Sequence, residues 1–208
     1  MISEADILET DEVGCRLILR LPTDLAGSFA QEKLSDSLKT ARAAGLLLPF
    51  GCTRLNERAA LCREVGVACF LADDIDSALS FRLDGLELSG DAQLITHARR
   101  RLPENTILAA RCPIERHTPM EVGEAGADLV VFDANSQDDF DDALDLVAWW
   151  TSLFTLPALV RGSFTLEQTE RLAEAGADFV DPGAHVWLSG SEMLEAYQDA
   201  VDTGWFPR

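Results

Sequence analysis

Nine charged residues lie at or just past the ends of short apolar runs: Arg20, Asp73, Asp74, Glu87, Asp91, Arg111, Asp133, Arg161 and Asp181. Runs of that length read as buried strands, so these groups gather at strand tips. Asp73 and Asp91 are the candidates for a hard cation, which binds through one or two carboxylates plus substrate phosphates. The arginines could clamp an anion, or pair with the carboxylates into a self-neutralising layer. For acid–base work the candidates are Glu87, Asp133 and Cys112, with Arg111 beside them. In Val160-Arg-Gly-Ser-Phe-Thr165, Gly162 and Ser163 stand just before a capped helix, where backbone N–H groups and the helix dipole favour phosphate. Arg161 precedes that loop, and Gly183 in Asp181-Pro-Gly-Ala184 gives a second loop able to approach a phosphate closely. A tight turn without any ligand explains Gly162 equally well.

Positioning such groups requires a repeated scaffold. The decapeptides Glu124-Ala-Gly-Ala-Asp-Leu-Val-Val-Phe-Asp133 and Glu174-Ala-Gly-Ala-Asp-Phe-Val-Asp-Pro-Gly183 each read as helix end, glycine cap, buried strand and polar tip. Weaker copies of this joint occur around Gly45, Gly66 and Gly85. Strand candidates lie near 15–22, 45–50, 67–73, 85–89, 106–112, 128–133, 157–162 and 178–182, with helical patterns between most neighbours. Eight such units predict an α/β fold of one domain, a (β/α)8 or TIM barrel, at the short end of that fold's usual range of about 200 to 400 residues. An open doubly wound sheet is the alternative, but Arg20-Leu-Pro-Thr-Asp24 lacks the glycines of a dinucleotide turn. Thr118-Pro-Met-Glu121 and Thr165-Leu-Glu-Gln168 read as capping boxes, and Asn56 and Ser136 as further caps. Residues 1–14 form an acidic leader and 15–208 the barrel.

The formal charge of −19 argues against binding nucleic acid or an anionic membrane surface. No apolar run reaches the roughly 18 residues of a membrane span, and the leader lacks a signal's basic and apolar regions, so a cytoplasmic protein is expected. Five cysteines without a C-x-x-C pair fit that compartment, three of them (Cys15, Cys69 and Cys112) inside strand segments as small hydrophobes. Cys52 and Cys112 fall near strand tips but show no histidine partner, and the three histidines show no zinc spacing. Trp149 and Trp150 are adjacent and cannot both face one narrow core stripe, which suggests packing under loops or a homodimer interface.

Asp73-Asp-Ile-Asp-Ser-Ala-Leu79 followed by Leu83-Asp-Gly-Leu-Glu-Leu-Ser89 resembles the third and fourth βα units of thiamine phosphate synthase and the related thiazole tautomerase. Their pattern is N-D-x-x-D-x-A-L and then G-A-D-G-V-H-L-G. The joint at 125–131 and the segment 165–177 continue the likeness, which spans roughly 45 to 185. The resemblance implies a (β/α)8 barrel that joins a hydroxymethylpyrimidine diphosphate to a thiazole phosphate, releasing pyrophosphate with magnesium. It implies magnesium ligands at Asp73 and Asp91, and a phosphate contact at Gly162.

Departures from that pattern are concentrated at the strand tips. The family's Q-x-R-E-K stands here as Leu47-Leu-Pro-Phe-Gly51, Ala72 replaces an asparagine, and Arg111-Cys112 stands near an expected serine. The T-x-T-K loop is missing beyond Asp133, and Lys33 and Lys39, away from any tip, are the only lysines. The expectation is a synthase-like barrel of thiamine metabolism with weak or lost synthase activity and a residual pocket for a small phosphorylated metabolite. An active synthase using Arg111 and Arg161 in place of the lost cations, a tautomerase-like enzyme and a non-catalytic barrel are the alternatives.

Overall fold

Each apolar run becomes a short strand, and the computed structural model describes residues 14–134, 136 and 139–205. The first half contains β1 (Arg16–Arg20), α1 (Thr23–Ala26), α2 (Gln31–Thr40), β2 (Gly45–Leu48), α3 (Leu55–Val65), β3 (Ala68–Ala72), α4 (Ile75–Phe81) and β4 (Gly85–Ser89). The second contains α5 (Ala92–Arg101), β5 (Ile107–Cys112), α6 (His117–Glu124), β6 (Leu129–Asp133), α7 (Phe140–Leu153), β7 (Ala158–Arg161), α8 (Leu166–Glu174) and β8 (Phe179–Asp181). A 3-10 turn (Ala184–Trp187) and α9 (Ser191–Gly204) end the chain's described part. All strands are parallel, and β8 pairs with β1 to close the barrel. An open sheet is therefore excluded. The proposed leader lies almost wholly outside the described residues.

Alternation along the strands sorts their side chains into two cores. Ile18, Leu47, Phe70, Val131, Leu159 and Phe179 point inward and fill the barrel, while Leu17, Leu46, Leu71, Val130 and Val180 face the helices. Every second residue of the inward set moves toward the C-terminal mouth. Arg20, Glu87, Arg111, Asp133, Arg161 and Asp181 therefore form the polar layer above the apolar filling, because each follows an inward position by two, which is Gly85 for Glu87 and an apolar residue for the others.

The helix–strand joints use more than glycine. Gly66, Gly126 and Gly176 do occupy left-handed backbone at helix ends (φ 74°, 101° and 95°). Gly45 and Gly85 do not: they lie within β2 and β4, and the left-handed positions of those joints fall to Arg42 and Arg82. Their purpose is space, because a Cβ at either would press on the ring of Phe70 in the barrel interior, most severely at Gly85. Gly85→Ala is expected to destabilise by about 1–3 kcal/mol through overpacking, and more than Gly45→Ala, as read by urea denaturation. Equal effects at the two positions would remove Phe70 as the cause.

Three of the four expected helix caps fall elsewhere. Thr165 and Gln168 form the capping box of α8. At α6, Glu115 accepts from the Thr118 amide instead, and Thr118 lies inside the helix. Asn56 is likewise inside α3, and α7 begins after Asp139, whose carboxylate accepts from the Ser136 amide. Trp150 is buried, donating to the Leu156 carbonyl at 2.8 Å and stacking on Phe154, while half-buried Trp149 lies under the Arg116 guanidinium at 4.6 Å. Both rings thus find partners within one chain, so they give no argument for a subunit interface. Among the described residues no helix is long and apolar enough to cross a membrane.

Candidate active site at the barrel mouth

The polar layer is an ion-pair network whose centre is Glu87. Arg161 donates to both of its oxygens, from Nη1 at 2.8 Å and Nη2 at 2.6 Å, and its Nε donates to Asp181 at 3.1 Å. Arg111 donates from Nη1 to Glu87 at 3.0 Å and from Nη2 to Asp73 at 3.3 Å. Arg20 lies 3.9 Å from Asp181. The inner members Arg161, Glu87 and Asp181 are 1–2 % exposed, whereas the side chains of Arg111, Asp73 and Arg20 are 29 %, 43 % and 42 % exposed at the rim. Asp133 pairs in register with Arg161 and adds to the negative field around it.

The titration of these groups follows from that geometry. Burial alone would raise the Glu87 carboxyl, but Arg161 and Arg111 outweigh it and hold the pKa below the usual value. At Asp181 burial outweighs Arg161 and Arg20, so its pKa rises. Arg161 itself is held charged: burial works against the cation, and Glu87 and Asp181 overcome it. Glu87 is thus locked as a carboxylate and is badly placed to give or take a proton. Burial, with Glu115 adding, pushes the Cys112 thiol up to about 12, so a neutral thiol stands there and not a nucleophile.

Asp74 and Asp91 separate from this network. Their carboxylates cap α4 and α5, accepting from the Ser77 and Leu94 amides at 3.0 and 2.8 Å. Asp73, in left-handed backbone at φ 56°, keeps its side chain at the rim. The two proposed magnesium ligands therefore each have one oxygen engaged, Asp73 by Arg111 and Asp91 by a cap. Among the described residues no group of three His, Cys, Asp or Glu side chains is placed to hold a metal. Such a donor set fits magnesium only when a phosphate-bearing ligand supplies further oxygens.

The loops after β7 and β8 touch each other. Gly183 (φ 114°) approaches the Gly162 carbonyl so closely that a Cβ would come within 2.6 Å of it. The Gly183 amide donates to Asp181 Oδ1 at 3.1 Å, that of Gly162 to the Asp181 carbonyl at 3.2 Å, and that of Phe164 to the Pro182 carbonyl at 2.9 Å. Ser163 remains exposed at the loop's tip, beside a cleft of about 590 Å³ lined also by Thr165, His185 and Tyr197. Sequence reasoning missed those last two. Tyr197 spends its proton on the Phe164 carbonyl (2.6 Å), so the 2.8 Å contact to His185 Nε2 is donated by the imidazole, which leaves Nδ1 as an acceptor.

A sequence profile of the thiamine monophosphate synthase family matches residues 52–181. The thiamine-phosphate synthase of Erythrobacter litoralis is 32 % identical over 208 residues, covering 91 % of this chain and 97 % of that protein. That of Hyphomonas neptunium is 31 % identical over 133 residues, 62 % of this chain and 60 % of its own length. Among solved structures, thiamine phosphate pyrophosphorylase from Pyrococcus furiosus superposes with a TM-score of 0.76 at 17 % identity, covering 91 % of this chain and 96 % of its own. 3-Hexulose-6-phosphate synthase from Salmonella typhimurium gives 0.68 at 13 %, covering 91 % and 99 %, which at such identity speaks for the fold alone. With an eight-stranded barrel, a match across more than half its length and a relative aligned nearly end to end, the chain belongs to the thiamine monophosphate synthase family.

Proposed function

We propose that this barrel has weak or lost synthase activity and keeps a pocket for a small phosphorylated metabolite at the loops after β7 and β8. The observation that carries the reading is the pairing of Arg161 and Arg111 with Glu87. A diphosphate leaving group needs positive charge that is free to meet it. Here the cations nearest the barrel axis are neutralised by carboxylates of the same layer, and Leu47-Leu-Pro-Phe-Gly51 contributes none. Freeing Arg161 would leave Glu87 and Asp181 charged and buried without it, a cost of several kcal/mol. That cost weighs against a synthase in which these arginines take over the lost cations.

The phosphate half of the reading is supported by exposed Ser163, by the close approach of Gly162 and Gly183, and by α8 starting directly behind them. Arg161 is a positioning group in this reading, since it fixes Asp181, which in turn holds the Gly183 amide. Arg111 and Asp133 at the rim would orient the ligand's polar groups. Magnesium, held by Asp73 and Asp91 together with the ligand's phosphate, would neutralise phosphate charge. Calorimetry with thiazole phosphate, with and without magnesium, tests the proposal. Binding that magnesium strengthens, and that Asp73→Ala makes magnesium-independent, is expected. No heat with any phosphorylated pyrimidine or thiazole would overturn the pocket.

A further inference from the structure

His185 is a titratable side chain at the loops after β7 and β8 to which the proposed pocket gives no task. It stands in the 3-10 turn that follows β8 and is half-buried. A Cβ on Gly183 would lie 3.3 Å from its Nδ1 and 3.2 Å from the Ser163 Cα, so the imidazole, Gly183 and Ser163 meet at one place. The other ring nitrogen is committed. Tyr197 has one hydroxyl proton and gives it to the Phe164 carbonyl at 2.6 Å, so Nε2 carries the hydrogen of the 2.8 Å contact between the two rings. In the neutral ring Nδ1 therefore presents a lone pair, and among the described residues no donor meets it.

The groups facing that nitrogen bring no positive charge. Glu167, in the first turn of α8, lines the same cleft, and no lysine or arginine does. Asp181, at the end of β8, bonds the Gly183 amide, and Arg161 of β7 is engaged with Asp181 and Glu87. From α9 come Met193 and Tyr197, whose hydroxyl burial keeps neutral by raising its pKa. A fully ionised phosphate at Ser163 and Gly183 would thus set an oxygen against a lone pair, with a carboxylate on the same cleft wall. Two acceptors facing each other leave both without a hydrogen bond. One proton removes the conflict. On Nδ1 it makes an imidazolium, the charge change that histidine undergoes between about pH 5 and 8. On the ligand it makes a P–OH group that donates to Nδ1.

We infer that His185 is a ligand-contact residue through which the pocket takes a phosphomonoester together with one proton, shared between Nδ1 and a phosphate oxygen. The inference rests on the phosphate pocket proposed above and adds the proton to it.

Calorimetry with thiazole phosphate, repeated in buffers of different ionisation enthalpy, counts the protons taken up. At about pH 8 a free phosphomonoester, with a second pKa of about 6, is doubly charged, so uptake of about one proton is expected. Affinity should fall about tenfold between roughly pH 8 and 9, as linkage to one proton requires. His185→Gln should bind with no uptake and with an affinity that does not change over that range. Tyr197→Phe releases Nε2 and lets the neutral ring carry its hydrogen on Nδ1, so this variant too should bind with little uptake, which a merely structural role of the pair would not produce. If His185→Gln does not fold, the wild type and Tyr197→Phe decide. Sulfate, which takes no proton in this range, locates the proton: uptake with sulfate places it on His185, and uptake with the phosphomonoester alone places it on the ligand. Binding without uptake in the wild type overturns the inference and leaves the pocket standing. So does equal uptake in His185→Gln, as protonation of Asp181, whose pKa burial raises, would give. No heat with either anion overturns the pocket itself, and this inference with it.

Discussion

Replacing Arg161 by methionine is expected to lower the unfolding free energy by roughly 3–5 kcal/mol, the usual cost of removing one partner from a buried pair. The side chain is 1 % exposed and makes three bonds to carboxylate oxygens, so its loss leaves Glu87 and Asp181 charged in the interior. Methionine fills much of the volume, which keeps the cavity contribution small and isolates the charge effect. Arg111→Met should cost about 1 kcal/mol or less, because that guanidinium is 29 % exposed and water screens what it leaves behind. Adding Glu87→Leu and Asp181→Asn to Arg161→Met should restore much of the lost stability, since a buried ion pair is often matched by apolar groups. Urea denaturation of the four proteins reads this directly. A loss below about 1 kcal/mol for Arg161→Met would mean that the network is open to water and that its cations are free for a ligand.

The barrel was legible because its repeat is written in local chemistry. Gly-Ala-Asp precedes β6 and β8 and Arg-Leu-Asp precedes β4, and the structure gives the Asp of each joint a task the pattern alone does not reveal. Asp84, Asp128 and Asp178 accept from the amides of Cys69, Leu108 and Ala158 on the preceding strands, at 2.9, 2.7 and 2.8 Å, and so lock the N-terminal ends of adjacent strands together. The glycines of the joints at Gly45 and Gly85 were misread because a bulky interior neighbour, Phe70, calls for glycine as strongly as a left-handed turn does. At the site, taking the polar residues at and just past the C-terminal ends of the apolar runs sufficed to find Glu87, Arg111, Asp133, Arg161 and Asp181. Who pairs with whom was not readable: Arg161 and Glu87 are 74 residues apart and meet across the barrel. Asp74 and Asp91 looked like mouth carboxylates because a residue two steps past a strand serves equally as the next helix's cap.

Supplied with hydroxymethylpyrimidine diphosphate, thiazole phosphate and magnesium, this protein should form thiamine phosphate far below the ordinary enzymatic range of roughly one turnover per second or faster. Removing one preorganised charge partner from a site of this kind commonly costs about 3–4 kcal/mol of transition-state stabilisation. Here the Gln-x-Arg tip is Leu47-Leu-Pro, and neither lysine stands at a tip. Such losses at one site do not add simply, so the defect is expected to be large without being their sum. Opening the network tests the cause. Glu87→Gln removes the charge that holds Arg161 and Arg111 while leaving an acceptor for them. If neutralised arginines are what silences the site, this change should raise both affinity for pyrophosphate and any residual turnover. If turnover is already in the ordinary range with the native sequence, Arg111 must meet the diphosphate while still bonded to Glu87, and the assignment of a weakened synthase fails. If Glu87→Gln changes neither quantity, pairing is not the cause, and the missing Gln, Arg and Lys at the β2 tip alone account for the defect.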